Sequence, residues 1–380
     1  MKEGYKALGE FIRQIDIRNT EGKEDNLLGV SVQKQFIPSI ANTVGTDFTK
    51  YKVVKKGQFT YIPDTSRRGD KIAIALLQDY EEGLVSNVYT VFEVIDEEKL
   101  LPEYLMLWFS RPEFDRYARF KSHGSVREIM DWDEMCKVEL PVPSIEKQRS
   151  IVKAYKAITD RIELKRRIND NLQQQAAALF SSLYDRSNTE VRFTDLIQIL
   201  GGGTPKTGEN TYWNGNIAFF TPKDVGIPYT LITEKTISKE GLSHCNSRLY
   251  PVNTVFVTAR GTVGKVGMSG VPMAMNQSCY ALVGKETHQL LVYFYTLKAV
   301  DRLKHKASGA VFDAITTRDF ESEQIMKLSD DDATAFLRVA EPMFQEVLNN
   351  NIENLRLSTL RDSLLPKLMS GEIDVSAVQL

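Results

Sequence analysis

Cysteine, histidine and long apolar runs are scarce in this chain of 380 residues, and each scarcity removes a class of function. The three cysteines, Cys136, Cys245 and Cys279, include no CxxC pair. That argues against a disulfide framework or a cysteine zinc site and suits a reducing cytoplasm. The four histidines, at positions 123, 244, 288 and 305, are scattered, and none has ligand spacing to a Cys or carboxylate cluster. No run approaches the roughly 18 apolar residues of a membrane helix. The opening MKEGYKALGE does not read as a signal peptide, so no membrane association is expected. Charge is nearly balanced, with a formal net of −2, so any surface that attracts nucleic acid has to be a local patch.

Catalytic signatures are missing as well. A phosphate-cradling GxxxxGK[ST] loop does not occur; Gly261-Thr262-Val263-Gly264-Lys265 has the wrong spacing and no Ser or Thr after the lysine. The Asn/Asp-Pro-Pro-aromatic motif with which an adenine methyltransferase holds a flipped base is absent. A PD-(D/E)xK nuclease pattern can be drawn through Asp64, Glu97 and Lys99, which leaves a metal-dependent nuclease as one alternative. So loose a pattern arises by chance in most chains of this length, and residues 96–99 read equally well as a solvated turn before Pro102.

What the chain does have is a long helical stretch at 151–183 without Pro or Gly. Its apolar residues Ile151, Tyr155, Ile158, Ile162, Leu172, Ala176, Leu179 and Leu183 alternate in steps of four and three. That is a heptad seam, interrupted by Lys165 and Asn169. A helix of about 33 residues, roughly 50 Å at 1.5 Å per residue, needs a partner along its length. About 185 positions later a second heptad-like helix carries Phe336, Val339, Met343, Val347, Ile352, Leu355, Leu360, Leu364 and Leu368, and Gly371 suits its C-terminal cap. Residues 146–185 carry a net charge of +3 and residues 331–372 a net of −3, which favours one antiparallel intrachain pair. A coiled-coil scaffold without DNA affinity is the second alternative.

Each helix closes a similar half. In the first, β-rich runs at 51–54, 59–62, 71–76 and 87–94 precede an aromatic helix over 102–120. The stiff link Leu140-Pro141-Val142-Pro143-Ser144 follows, with Ser144 as helix cap. In the second, the segment 191–195, the loop GGGTPKTGENTYWNG at 201–215, strands at 216–220, 254–258 and 279–283 and a helix over 290–305 repeat the plan. His123-Gly124-Ser125-Val126 and Ser308-Gly309-Ala310-Val311 correspond at nearly the same offset. The expected fold is α+β: two mixed α/β domains separated by a pair of long antiparallel coiled-coil helices in a pseudo-two-fold repeat. Its parts are residues 1–145, the spacer helix 146–185, residues 186–330, and the distal helix and tail 331–380.

Loop chemistry of the kind that reads nucleic acid recurs in both halves, because Lys and Arg neutralise phosphates while Asn, Gln and Arg can pair with base edges. In the first half the candidates are Gln33, Lys34, Arg67, Arg68 and Lys71. In the second they are Lys206, Lys223, Arg260, Lys265, Asn276 and Gln277. Trp108, Trp132 and Trp213 read as packing residues rather than platforms for bases.

These stretches carry a resemblance. Leu140 to Val152 (LPVPSIEKQRSIV), the second-half opening GGGTPKTGENTYWNG, Thr254 to Gly261 through Ala274-Met275-Asn276-Gln277, and the ending LLPKLMSGEI at 364–373 are all similar to the specificity subunit of bacterial type I restriction-modification enzymes. Phe59 to Pro63, with Arg68-Gly69 and Ile72-Ala73, resembles a different subtype of that family's target-recognition domain. The resemblance implies a non-catalytic reader of a bipartite, asymmetric site in double-stranded DNA, with the helices as the ruler between half-sites. Roughly 50 Å corresponds to about fifteen base pairs at ~3.4 Å per step, over one helical turn. It also implies two modification (methyltransferase) subunits that bring S-adenosylmethionine and restriction subunits that bring ATP and Mg²⁺, with no cofactor on this chain. Departures are Lys147 between Glu146 and Gln148, and Leu328-Ser329-Asp330 where the distal helix would follow a Pro-x-Pro.

Overall fold

The computed structural model describes residues 4–39, 43–64, 71–122, 128–306 and 314–373. The paired turn sequences at 123–126 and 308–311 lie outside the described residues, as do Arg67 and Arg68. The chain divides into two compact units, Met1–Arg161 with Leu357–Leu380, and Ile162–Arg356, so the division falls inside both long helices.

The repeat is visible in the order of elements. Tyr5–Ala7 pairs antiparallel with Glu139–Pro141, and Thr189–Arg192 pairs in the same sense with Gln324–Lys327. In each case the second strand leads straight into a long helix, Ile145–Tyr184 or Asp330–Ser370. The central helix starts where Ser144 Oγ accepts the Lys147 amide at 3.4 Å. Gln148 then anchors that end. Its buried side chain accepts from Leu101 N and donates to the carbonyls of Lys99 and Pro143, each at 2.9 Å. The distal helix is capped without proline: Ser329 Oγ accepts the Asp332 amide at 3.1 Å and donates to its carboxylate at 2.9 Å. Three acids in its first turn complement the helix dipole. Gly371, at φ +77°, closes it in the left-handed conformation, and the Ile373 amide returns to Lys367 O at 3.3 Å.

In the first unit an antiparallel sheet runs in the order Ile12–Ile15, Thr90–Val94, Phe59–Tyr61, Ile74–Leu76. Phe59 and Phe92 stack at 4.9 Å, and Phe109 meets both edge-on. Ile151 from the central helix and Leu365, Leu368 and Met369 from the distal helix join this core. The single helix expected over 102–120 is instead two, Pro102–Phe109 and Pro112–Lys121. Pro112 has no N–H to give and holds Arg111 extended at ψ 142°, so the first helix must end before it.

The second unit has a five-stranded sheet in the order Ile197–Gly201, Cys279–Gly284, Val255–Thr258, Val266–Ser269, Tyr229–Thr230. A three-stranded sheet places Trp213–Phe220 between Lys235–Ile237 and the parallel strand Met273–Met275. The helix Gln289–Lys306 covers the core. Phe180 of the central helix contacts Phe294 at 4.9 Å and Phe336 at 5.4 Å, so Phe180→Ala would cost about 3–5 kcal/mol. Here the distal helix departs from the expected heptads. Phe336, Ala340, Phe344 and Val347 are buried, whereas Val339 is 40% exposed. This stretch packs into a globular core, where the inward stripe follows 3.6 residues per turn rather than 3.5. In the first unit Leu360 is likewise 46% exposed, whereas Leu364 and Leu368 face the core as expected and Leu365 joins them.

Candidate nucleic-acid interface

Strand topology in the second unit gathers three of the loops that carry DNA-type chemistry. Trp213–Phe220 and Met273–Met275 run parallel, so the loops that follow them, at 221–223 and 276–278, emerge at the same end. Val255–Thr258 runs antiparallel to Cys279–Gly284 with Thr258 opposite Cys279, which brings the loop at 259–262 to that end too. Backbone bonds stitch the three together. Asn276 N donates to Phe220 O at 3.0 Å and Ala259 N to Ser278 O at 2.8 Å, while Ile315 N, from outside the three loops, donates to Ala259 O at 2.9 Å. Thr262 Oγ1 reaches Pro222 O at 3.2 Å. Asp224 holds the first loop by accepting from the Thr221 amide and hydroxyl at 2.8 and 2.6 Å, and from Glu234 N at 2.8 Å.

Between these loops lies a cleft of about 510 Å³ lined by Lys223, Lys235, Arg260 and Asn276, together with Glu234 and Thr262 among others. The structure therefore brings together Lys223, Arg260 and Asn276 of the expected residues. Lys206, Lys265 and Gln277 are exposed but do not line the cleft. Gln277 is held by the Thr204 hydroxyl, and the Lys206 carbonyl accepts the Trp213 indole N–H at 3.1 Å. Lys235 was not expected. It enters because its strand pairs with Trp213–Phe220, and its ammonium lies 5.5 Å from the Trp213 ring. An alternating strand beside a Trp strand was the available signal, but register is not legible locally.

The first unit treats its candidates differently. Gln33 and Lys71 are exposed. Lys34 is not available to phosphate: its side chain is 7% exposed, and its ammonium bonds Asp115 at 2.6 Å and Ile72 O at 3.3 Å. Burial pushes the Lys34 ammonium below the usual lysine range, with Asp115 pulling the other way. Of the residues of the nuclease alternative, Lys99 is engaged within its own turn. Lys99 pairs with Asp96 at 3.1 Å, and the same Asp96 caps the turn through Glu98 N at 3.0 Å. Among the described residues no three His, Cys, Asp or Glu side chains stand where they could hold a metal ion.

Along the helix pair, Ile151, Ile162, Asn169 and Leu183 are buried, and Tyr155, Ile158, Lys165, Leu172 and Leu179 are half-buried. On the distal helix Val347 is buried and Leu355 and Leu364 are half-buried. In the second unit the two polar interruptions meet polar partners. Lys165 donates to Asn350 at 2.7 Å and pairs with Glu353 at 2.8 Å. Asn169 donates to Asn351 at 2.9 Å and accepts from Asn350 at 3.0 Å. Since Lys165 meets Asn350 while Phe180 meets Phe336, the helices run antiparallel there.

A family model described as the type I restriction modification DNA specificity domain matches residues 11–174 and again 186–327. The specificity subunit of the type I restriction enzyme HindI from Haemophilus influenzae is 24% identical over 456 aligned positions, covering 97% of this chain and 98% of that protein. The MjaIX specificity subunit of Methanocaldococcus jannaschii is 22% identical over 309 positions, covering 74% of this chain and 71% of that one. Among solved structures, the S subunit of a type I restriction-modification system from M. genitalium matches with a TM-score of 0.61 at 13% identity over 96% of this chain and 95% of that one, a likeness of fold.

Proposed function

The chain belongs to the type I restriction modification DNA specificity family, and from that premise we propose how it reads DNA and with what it works. It is a DNA specificity subunit of a restriction-modification enzyme, not a catalytic one. In our reading residues 1–145 and 186–330 each bind one half of a bipartite, asymmetric duplex site. The helices at 146–185 and 331–380 set the number of base pairs between the halves. The observation that supports this best is the cleft of the second unit, where three stitched loops present Lys223, Arg260 and Asn276 and the neighbouring strand adds Lys235. Lysines that hold phosphates beside an arginine and an amide that reach base edges are the division of labour that sequence reading requires.

The proposed partners are duplex DNA, two modification subunits that carry S-adenosylmethionine, and restriction subunits that carry ATP and Mg²⁺. In the same reading the complex works in the cytoplasm. Among the described residues no helix is long and apolar enough to cross a membrane. Methylome sequencing of cells expressing this chain with its modification subunits tests the proposal. One bipartite motif with methylated adenines is expected, and it disappears when this chain is deleted. Methylation that does not depend on the chain, or that lacks a split motif, sinks the reading. Purified chain with Mg²⁺ should leave plasmid DNA intact.

A further inference from the structure

The charged groups that line the second unit's cleft are three cations and one carboxylate. Arg260 is exposed, and its guanidinium makes no hydrogen bond or ion pair among the described residues. Its backbone is nonetheless fixed, with N–H donating to Ser278 O at 3.3 Å and the preceding residue bonded on both sides. Gly261 at φ +83° turns the chain away immediately after it, a conformation that would strain any other residue. Asn276 accepts the Ser278 amide at 3.1 Å through its side-chain oxygen, which orients the amide and leaves its –NH₂ to offer two N–H donors. Lys223 and Lys235 add two ammonium groups. Among the lining residues the one carboxylate is Glu234, 3.9 Å from Lys223.

A donor-only fork on a fixed backbone selects an edge that offers two acceptors side by side. In the major groove guanine presents that pair, N7 and O6, whereas adenine sets an N–H donor beside its N7. We propose that Arg260 is a specificity-determining residue that reads one guanine of the second unit's half-site through O6 and N7. Asn276 donates to a neighbouring acceptor, and Lys223 and Lys235 hold the flanking phosphates. This rests on the DNA-reading function proposed above and names the base that one side chain selects.

The test uses the chain in complex with its modification subunits and duplexes carrying the motif found by methylome sequencing. Each guanine of either half-site is replaced in turn by 7-deazaguanine, which lacks the N7 acceptor, and affinities are compared for wild type, Arg260→Ala and Arg260→Gln. At one guanine, wild type is expected to lose about tenfold or more on deaza substitution. Both variants are expected to bind the unmodified duplex about 10- to 100-fold more weakly and to ignore deaza substitution at that position. Their sensitivity in the other half-site stays as in wild type, which separates a lost contact from a lost fold. Variants that keep the full deaza penalty at every position, or a wild type indifferent to every N7, overturn the assignment of Arg260 and leave the DNA-reading function standing. A complex with no sequence preference on any duplex overturns both.

Discussion

Removing Asn350 from the helix pair should cost far more than one surface amide is worth. Its side chain accepts from Lys165 at 2.7 Å and donates to Asn169 Oδ1 at 3.0 Å, at 1% exposure. In Asn350→Ala, Lys165 keeps Glu353 at 2.8 Å and retains some access to water. Asn169 is only 4% exposed, so its carbonyl oxygen is stranded. A lost hydrogen bond of about 1 kcal/mol plus a stranded buried acceptor of about 1–3 kcal/mol gives a destabilisation of roughly 2–4 kcal/mol. In a unit of about 200 residues that lowers the melting temperature by roughly 4–16 °C. Replacing both partners, Asn169→Leu with Asn350→Leu, removes the stranded acceptor and adds apolar contact, while half-buried Asn351 turns to water and Lys165 keeps Glu353, so the double variant should lie within about 1 kcal/mol of wild type. The assay is hydrogen exchange of the full chain, followed on peptides spanning 345–356, with calorimetry as a second readout. The two single Leu variants and the double variant complete a cycle whose coupling should be about 2 kcal/mol. A double variant as unstable as the sum of the singles refutes the reasoning, as does Asn350→Ala within 0.5 kcal/mol of wild type.

Asp115→Asn leaves the Lys34 ammonium buried without its counter-ion and should destabilise the first unit by about 3–5 kcal/mol, whereas Lys34→Met with Asp115→Leu recovers most of that in urea unfolding. Lys223→Ala with Lys235→Ala should weaken specific and non-specific duplexes alike and flatten the log–log salt dependence of binding by about two phosphate contacts; an unchanged slope removes these lysines from the backbone. Inserting one heptad into both long helices should lengthen the spacer of the methylated motif with both half-sites unaltered, and an unaltered spacer counts against the ruler.

The amino-acid sequence by itself determined the features whose physics is local. Heptad steps from Ile151 to Leu183, a serine before the central helix, Gly371 after the distal one and the repeated order of elements all follow from periodicity and capping over a few residues. The break at Pro112 and the Ser329 cap with its Asp332 are equally local, resting on a proline's missing N–H and on a serine three residues before an acid. Tertiary structure decided what each polar residue faces. Lys34 and Lys223 look alike in sequence, but one is taken by Asp115, 81 positions away, and the other borders an open cleft with Arg260 and Asn276. Lys235 joins that cleft through strand register, and Phe344 displaces a heptad position because an aromatic core, not a second helix alone, lies against it. Caps and periods are written in neighbouring residues, whereas burial and charge pairing depend on partners that only the folded chain brings within reach.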